Sequence, residues 1–185
     1  MPAERVIQSE HIYEGRVVHL RVDTVALEDG RTFTREVVQH KGAVALVALD
    51  EKGNVILVRQ YRAGAQKPLL EIPAGGLEPN EPREECARRE LQEEIGYYPE
   101  ELIELGGFYV AASYTTEYIT IYLTRHMRPS QLRGDVDEHI AVERIPFRQA
   151  LRMALDNEIE DSKTLIGLMW AAHYLSRLPE AEGGL

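Results

Sequence analysis

Cysteine is nearly absent from this chain: Cys86 is the single one in 185 residues. No intramolecular disulfide can form, which suits a reducing compartment and a cytoplasmic protein. Cys86 lies among glutamates and arginines and reads as a small buried side chain, not a catalytic thiol. Positive charge is also in deficit, with 21 basic against 31 acidic residues and a net charge of -10. A general binder of nucleic acid or of an anionic membrane needs a basic face, so neither partner is expected. Long hydrophobic runs are missing too. The longest, Ala43 to Leu49, is far too short to span a bilayer. Met1 to Glu10 is polar and mixed in charge, and no secretory leader is expected there. There are no repeats, and the only glycine-rich loop, Ala74-Gly75-Gly76, lacks the dinucleotide fingerprint.

What is present is enough apolar residue, 44%, to bury a sizeable core. Arg16 to His40 alternates as a small antiparallel meander with a turn at Asp29-Gly30. It is too small to stand alone and is expected to pack on the main domain or on a second subunit. Gly42 to Leu49 reads as a buried central strand, and Val55 to Tyr61 as its hairpin partner. Leu69 to Pro73 is extended. Pro82 is placed to open a helix capped by Glu81 or Asn80, which runs to Ile95 and stops at Gly96. Its apolar stripe is Ala87, Leu91 and Ile95. Glu104 to Val110, Ile119 to Thr124 and Ile140 to Ile145 read as strands. His126 to Glu138 reads as a mobile loop. Pro146 to Asn157 and Asp161 to Arg177 read as helices. Hairpins with one helix in mid-chain and two at the end give an α+β fold, a mixed sheet between helices in an α/β/α sandwich. A small N-terminal antiparallel strand subdomain covers residues 1–40, the main domain 41–180, and a frayed tail 181–185.

The densest signal is G-x5-E-x7-R-E-L-x-E-E-x-G, carried by Gly75, Glu81, Arg89, Glu90, Leu91, Glu93, Glu94 and Gly96. Like charges one helical turn apart repel. A chain that gathers them has something positive to put between them, and a hard divalent cation fits oxygen ligands. The bland alternative is a solvated acidic helix face. It requires all of these spacings to coincide by chance.

The pattern resembles the Nudix box, at eight of nine specified positions; the ninth is Tyr97, where an aliphatic residue is usual. The resemblance implies hydrolysis of a pyrophosphate bond with Mg²⁺, for which Mn²⁺ can substitute. It implies Glu90, Glu93, Glu94 and the carbonyl of Ala74 as metal ligands, with Arg89 pairing structurally with Glu81. Further stretches resemble the ADP-ribose pyrophosphatase group: Arg35-Glu36-x-Val-x-His40, Val58 to Arg62, Glu71 to Gly76, and Glu158 to Thr164. That likeness implies an N-terminal subdomain exchanged within a homodimer. It also implies Arg35, Glu36, Arg59 and Arg62 on the substrate, and a general base from the acidic loop Asp135 to Ile140. Glu138 is the expected base, with Asp137 second and Glu93 an alternative. The group usually shows Ser-Pro-Gly before a Thr-Glu pair. Here the stretch is Ala111-Ala112-Ser113-Tyr114-Thr115-Thr116-Glu117, so Glu117 survives as a substrate-binding candidate while the sugar pocket is expected to differ. The substrate class implied is ADP-ribose or a similar nucleoside diphosphate sugar, split to a nucleoside monophosphate and a sugar phosphate. GDP-mannose or another such sugar is the runner-up. A non-catalytic nucleotide-sugar binder is disfavoured by the intact glutamates. An isoprenoid diphosphate isomerase is disfavoured because Cys86 lies on the box helix.

Overall fold

The computed structural model describes residues 4–134 and 139–178. The order of elements is β1 (Arg5–Glu14), β2 (His19–Ala26), β3 (Thr32–Gln39), β4 (Ala43–Leu49), β5 (Asn54–Arg62), β6 (Lys67–Glu71), β7 (Ala74–Gly76), α1 (Arg83–Glu94), β8 (Tyr97–Pro99), β9 (Ile103–Tyr109), β10 (Tyr118–Thr124), β11 (Met127–Pro129), β12 (Ile140–Pro146), α2 (Phe147–Leu155) and α3 (Ser162–Leu175). The chain divides into two compact units, Met1–Gly42 with Phe108–Ile119, and Ala43–Gly107 with Thr120–Leu185.

In the first unit β1, β2 and β3 form an antiparallel sheet in that order. β1 does not show in the sequence as a strand. Its register with β2 slips between Val6 and Gln8 and again between His11 and Tyr13. Each slip resets which face a side chain takes, so the alternation that marks a strand is erased. Residues 108–119 belong here although they lie far along the chain. Val38 N–H donates to the Tyr114 carbonyl at 2.8 Å, and Thr116 N–H to the Val38 carbonyl at 3.0 Å.

In the second unit the mixed sheet runs β12-β5-β4-β10-β9, with β6 on β5 and β7 on β4. All seven residues of β4 are buried. Alternation along a strand sends neighbours to opposite faces. Val44, Leu46 and Ala48 pack with Cys86, Ala87, Leu91 and Ile95 of the α1 region. Val47, from the other face, lies under Gly167 of α3. The sheet is therefore sandwiched between helices, as the α+β reading requires. Truncating Leu91, fully buried in this cluster, to Ala would cost about 2–5 kcal/mol.

The β4–β5 hairpin pairs only near its turn, at Ala48↔Ile56 and Leu49↔Val55. Beyond that it splays. Val58 pairs with Glu71 on β6, while Ala43, Val44 and Ala45 pair with Gly76, Gly75 and Ala74 on β7. This opening carries the chain from β6 to β7 into the middle of the sheet and sets the glycine turn beside α1. Two smaller differences from the sequence reading follow from side-chain competition and length. Pro82 is the cap residue of α1 and no side chain caps it. Glu81 is drawn away, its carboxylate taking Arg89 and the Glu78 N–H. Within the segment read as a mobile loop, β11 pairs antiparallel with β8. Three residues are too few to show periodicity.

Candidate active site

Helix geometry puts Glu90 and Glu94 one turn apart on the side of α1 that faces the glycine turn. Both are buried, at 8% and 9% exposure. Glu94 Oε2 accepts from the Ala74 N–H at 3.1 Å. The Glu90 carboxyl fills the space where a side chain on Gly75 would begin: a Cβ there would lie 1.9 Å from its Cδ and Oε1. Glycine at 75 is thus what lets the Glu90 carboxyl rest against the turn. Gly96 has φ +76° and ends the helix in a conformation that favours glycine.

Arg89 organises the carboxylates. Its Nε and Nη2 donate to both oxygens of Glu81, at 2.8 and 3.0 Å. Nη1 reaches Glu90 Oε1 at 2.7 Å and Glu93 Oε2 at 2.9 Å. Nη2 also meets the Gly76 carbonyl at 3.2 Å. The pairing expected of Arg89 with Glu81 is therefore present, and the same guanidinium spans Glu90 and Glu93. Glu81, first among these partners, holds the Arg89 pKa above its ordinary value. In return Arg89 lowers the Glu81 carboxyl to about 2. Burial pushes the Cys86 thiol up, so it stays protonated. Its Sγ lies 3.4 Å from the Gly76 carbonyl.

The Glu81 shift gives a pH prediction. A carboxylate depressed in the folded state stabilises fully above its unfolded value near 4.5, and this is lost as pH falls towards about 2. The pair should contribute on the order of 2–3 kcal/mol at neutral pH. Glu81→Gln should lower the neutral-pH melting temperature and flatten its fall between pH 4.5 and 2. An unchanged acid limb would contradict the assignment.

The other expected site residues fall into both units. In the first, Arg35 on β3 is engaged by Glu4, with Nε to Oε2 at 3.2 Å. Glu36 is on the same strand, opposite Val22. Glu117 closes the base of its loop, its carbonyl accepting from Val110 N–H at 3.1 Å. Thr116 Oγ1 accepts from the His40 N–H at 2.8 Å, so the altered Ala112-Ser113 loop is tied to the end of β3. In the second unit Arg59 pairs with Glu143, Nε to Oε1 at 2.6 Å. Arg62 makes two bonds to Glu71, Nε to Oε1 at 2.8 Å and Nη2 to Oε2 at 2.7 Å. Glu71 and Lys163 were not singled out from the sequence. Glu138 and Asp137 lie outside the described residues.

As the side chains stand, no three His, Cys, Asp or Glu among the described residues converge on a common metal position. Arg89 takes one oxygen each of Glu90 and Glu93, and Glu94 is on Ala74. The donor set still fits a hard divalent cation: two buried carboxylates beside one turn, a third within reach of the same guanidinium, and oxygen atoms throughout. Among the described residues no helix is long and apolar enough to cross a membrane.

Comparison with known proteins gives the family of the chain. Residues 39–166 match the NUDIX domain family, and residues 4–38 the nucleoside diphosphate sugar hydrolase N-terminal domain. An ADP-ribose pyrophosphatase of Bacillus subtilis (strain 168) is 34% identical, over 90% of this chain and 91% of its own. A methanol dehydrogenase activator of Bacillus methanolicus is 37% identical over the same shares. A GDP-mannose pyrophosphatase of Yersinia pestis (strain Pestoides F) is 33% identical over 70% of each. A solved structure of an ADP compounds hydrolase superposes with a TM-score of 0.82 over 94% of each chain; at 22% identity this speaks to the fold alone. The chain belongs to the Nudix hydrolases, in the group whose Nudix domain follows a nucleoside diphosphate sugar hydrolase N-terminal domain.

Proposed function

We propose that this hydrolase splits the pyrophosphate bond of ADP-ribose or a closely similar nucleoside diphosphate sugar with Mg²⁺, giving a nucleoside monophosphate and a sugar phosphate. The observation that supports it best is the pair of buried carboxylates, Glu90 and Glu94, held against the Ala74–Gly75 turn. Nudix hydrolases generally use divalent metal ions. Glu90, Glu93, Glu94 and the Ala74 carbonyl would hold Mg²⁺ here, with Mn²⁺ as a substitute. Such ions, when bound, neutralise phosphate oxygens and make water more acidic.

The protein's own part is positioning and proton transfer. Arg89 keeps the glutamates from repelling one another while the site is assembled. Arg59 and Arg62 orient the substrate, an arginine fork being well shaped for phosphate, and Arg35, Glu36 and Glu117 are further candidate substrate contacts. Glu138 takes the proton as water oxygen bonds to phosphorus and the bridging P–O bond breaks. Glu138→Gln should lower kcat about 10²–10⁴-fold with KM little changed. A rise in KM alone would remove it as base and leave Glu93.

A GDP-mannose reading has one observation in its favour: the Ala112-Ser113 departure, beside a GDP-mannose pyrophosphatase relative. Purified protein with Mg²⁺ and a panel of ADP- and GDP-sugars decides. ADP-ribose should disappear with matching AMP and ribose 5-phosphate and the highest kcat/KM. Faster turnover of GDP-mannose would move the assignment to the runner-up. No phosphate-ester product from any sugar would refute hydrolysis of this class.

A homodimer of this cytoplasmic protein belongs to the same proposal. All ten residues of β1 are exposed, including Val6, Ile7, Ile12 and Tyr13. Four large apolar side chains left open on one exposed strand are a liability unless covered. Light scattering after size exclusion should give twice the mass of one 21.0 kDa chain. A single-chain mass would contradict it.

A further inference from the structure

Four charged side chains meet behind the glycine turn, from three separate places in the chain. Glu71 ends β6 and is 1% exposed. Arg62, from the end of β5, clamps both its oxygens. Lys163, in the first turn of α3 and 9% exposed, donates to Glu71 Oε2 and to Asp161 Oδ1. Asp161 caps α3, its Oδ2 accepting from Thr164 N–H at 2.9 Å and from the Thr164 hydroxyl at 2.6 Å. The Thr164 oxygen in turn accepts from Ile72 N–H at 2.8 Å. The start of α3 is thus fastened to Glu71 and Ile72, just ahead of Ala74, whose N–H holds Glu94.

Burying a carboxylate this deeply is costly without partners. Burial pushes the Glu71 carboxyl up, but Arg62 and Lys163 outweigh it and the group stays ionised. One cation would have sufficed to neutralise Glu71. Lys163 is a second cation on Glu71 and is shared with Asp161 at 2.9 Å, so the four groups are balanced in charge and the Glu71 carboxylate is held from two sides. Arg62 commits two of its five N–H donors to Glu71 and remains partly exposed, so its outer edge is open to another acceptor.

We infer that Lys163 is a positioning residue for substrate binding: it fixes the Glu71 carboxylate from the side opposite Arg62, so that Arg62 meets a diphosphate already oriented. The inference rests on the hydrolase reading only for the identity of the anion. Lys163 acts through Glu71 and Arg62 and touches no reacting atom.

A double-mutant cycle tests it, on Lys163→Met, Arg62→Gln and both together. Binding of the α,β-methylene analogue of ADP-ribose is followed by calorimetry, and KM and kcat with ADP-ribose by product release. Lys163→Met should weaken analogue binding and raise KM about tenfold, with kcat within about threefold. Arg62→Gln should lose at least as much, and adding Lys163→Met to it should cost no further affinity. Lys163→Arg, which keeps the charge, should recover most of the binding. Additive losses in the double variant, or no recovery with arginine, would overturn the inference in favour of a merely structural lysine. If Lys163→Met fails to fold, Lys163→Gln carries the same cycle with a neutral donor. Wild type that binds the analogue without cleaving ADP-ribose would sink the hydrolase reading and leave the clamp standing. Cleavage with additive losses would do the reverse. Wild type that neither binds nor cleaves would overturn both.

Discussion

Glu94→Gln should fold normally and lose about 10³-fold in kcat. The amide keeps an oxygen to accept the Ala74 N–H, so the turn and the helix keep their contact. What goes is one negative charge from a crowded group. Glu90 and Glu94 are buried one turn apart, with Glu93 beside them. Without added metal the variant should therefore melt no lower than wild type, and relief of repulsion favours a higher value. With Mg²⁺ the order should reverse: wild type gains stability as ligand binding requires, while the variant gains little. Kinetics and melting curves with and without Mg²⁺ check both halves. Near wild-type turnover would mean the metals lie elsewhere.

Gly75→Ala should be nearly as damaging to activity for a different reason. The added methyl would sit 1.9 Å from the Glu90 carboxyl. That carboxyl is the far end of a flexible side chain, so it can swing aside and the fold survives. The melting temperature should change by only a few degrees, consistent with about 1 kcal/mol in a domain of this size. The displaced carboxylate no longer meets the turn, however. A misplacement of about 1 Å in a catalytic arrangement can cost about 10²-fold, and a similar or larger fall in kcat/KM is expected. A variant that keeps its activity would show that Glu90 need not rest on the turn. One that fails to fold would show that the backbone, not the side chain, gives way.

The two variants probe the part of the site that the sequence showed most clearly. Gly75 lies on the glycine turn, Glu81 just ahead of α1, and Arg89, Glu90, Glu93 and Glu94 on that helix, where spacing alone says which share a face. The buried strand Ala43–Leu49 was equally plain, because a run of seven apolar residues has few other uses. What escaped was non-local. Glu71 and Lys163 are 92 positions apart, and nothing in either neighbourhood announces the other. Arg59 with Glu143 and Arg35 with Glu4 are pairs of the same sort. Residues 108–119 join the N-terminal sheet through backbone bonds at Val38, which carry no side-chain signature. β1 was hidden by its two register slips, and β11 by its brevity. The departure at Ala112-Ser113 was legible as a departure; its tie to β3 through Thr116 and His40 needed the fold.

All of this depends on whether a cation takes its place among the α1 carboxylates. Crystals soaked in Mn²⁺ and measured at the manganese absorption edge give the most direct answer. An anomalous peak within about 2.5 Å of oxygens from Glu90 and Glu94, beside the Ala74 carbonyl, is the predicted result. A map with no peak there, and Arg89 still bridging Glu90 and Glu93 at saturating metal, would contradict it.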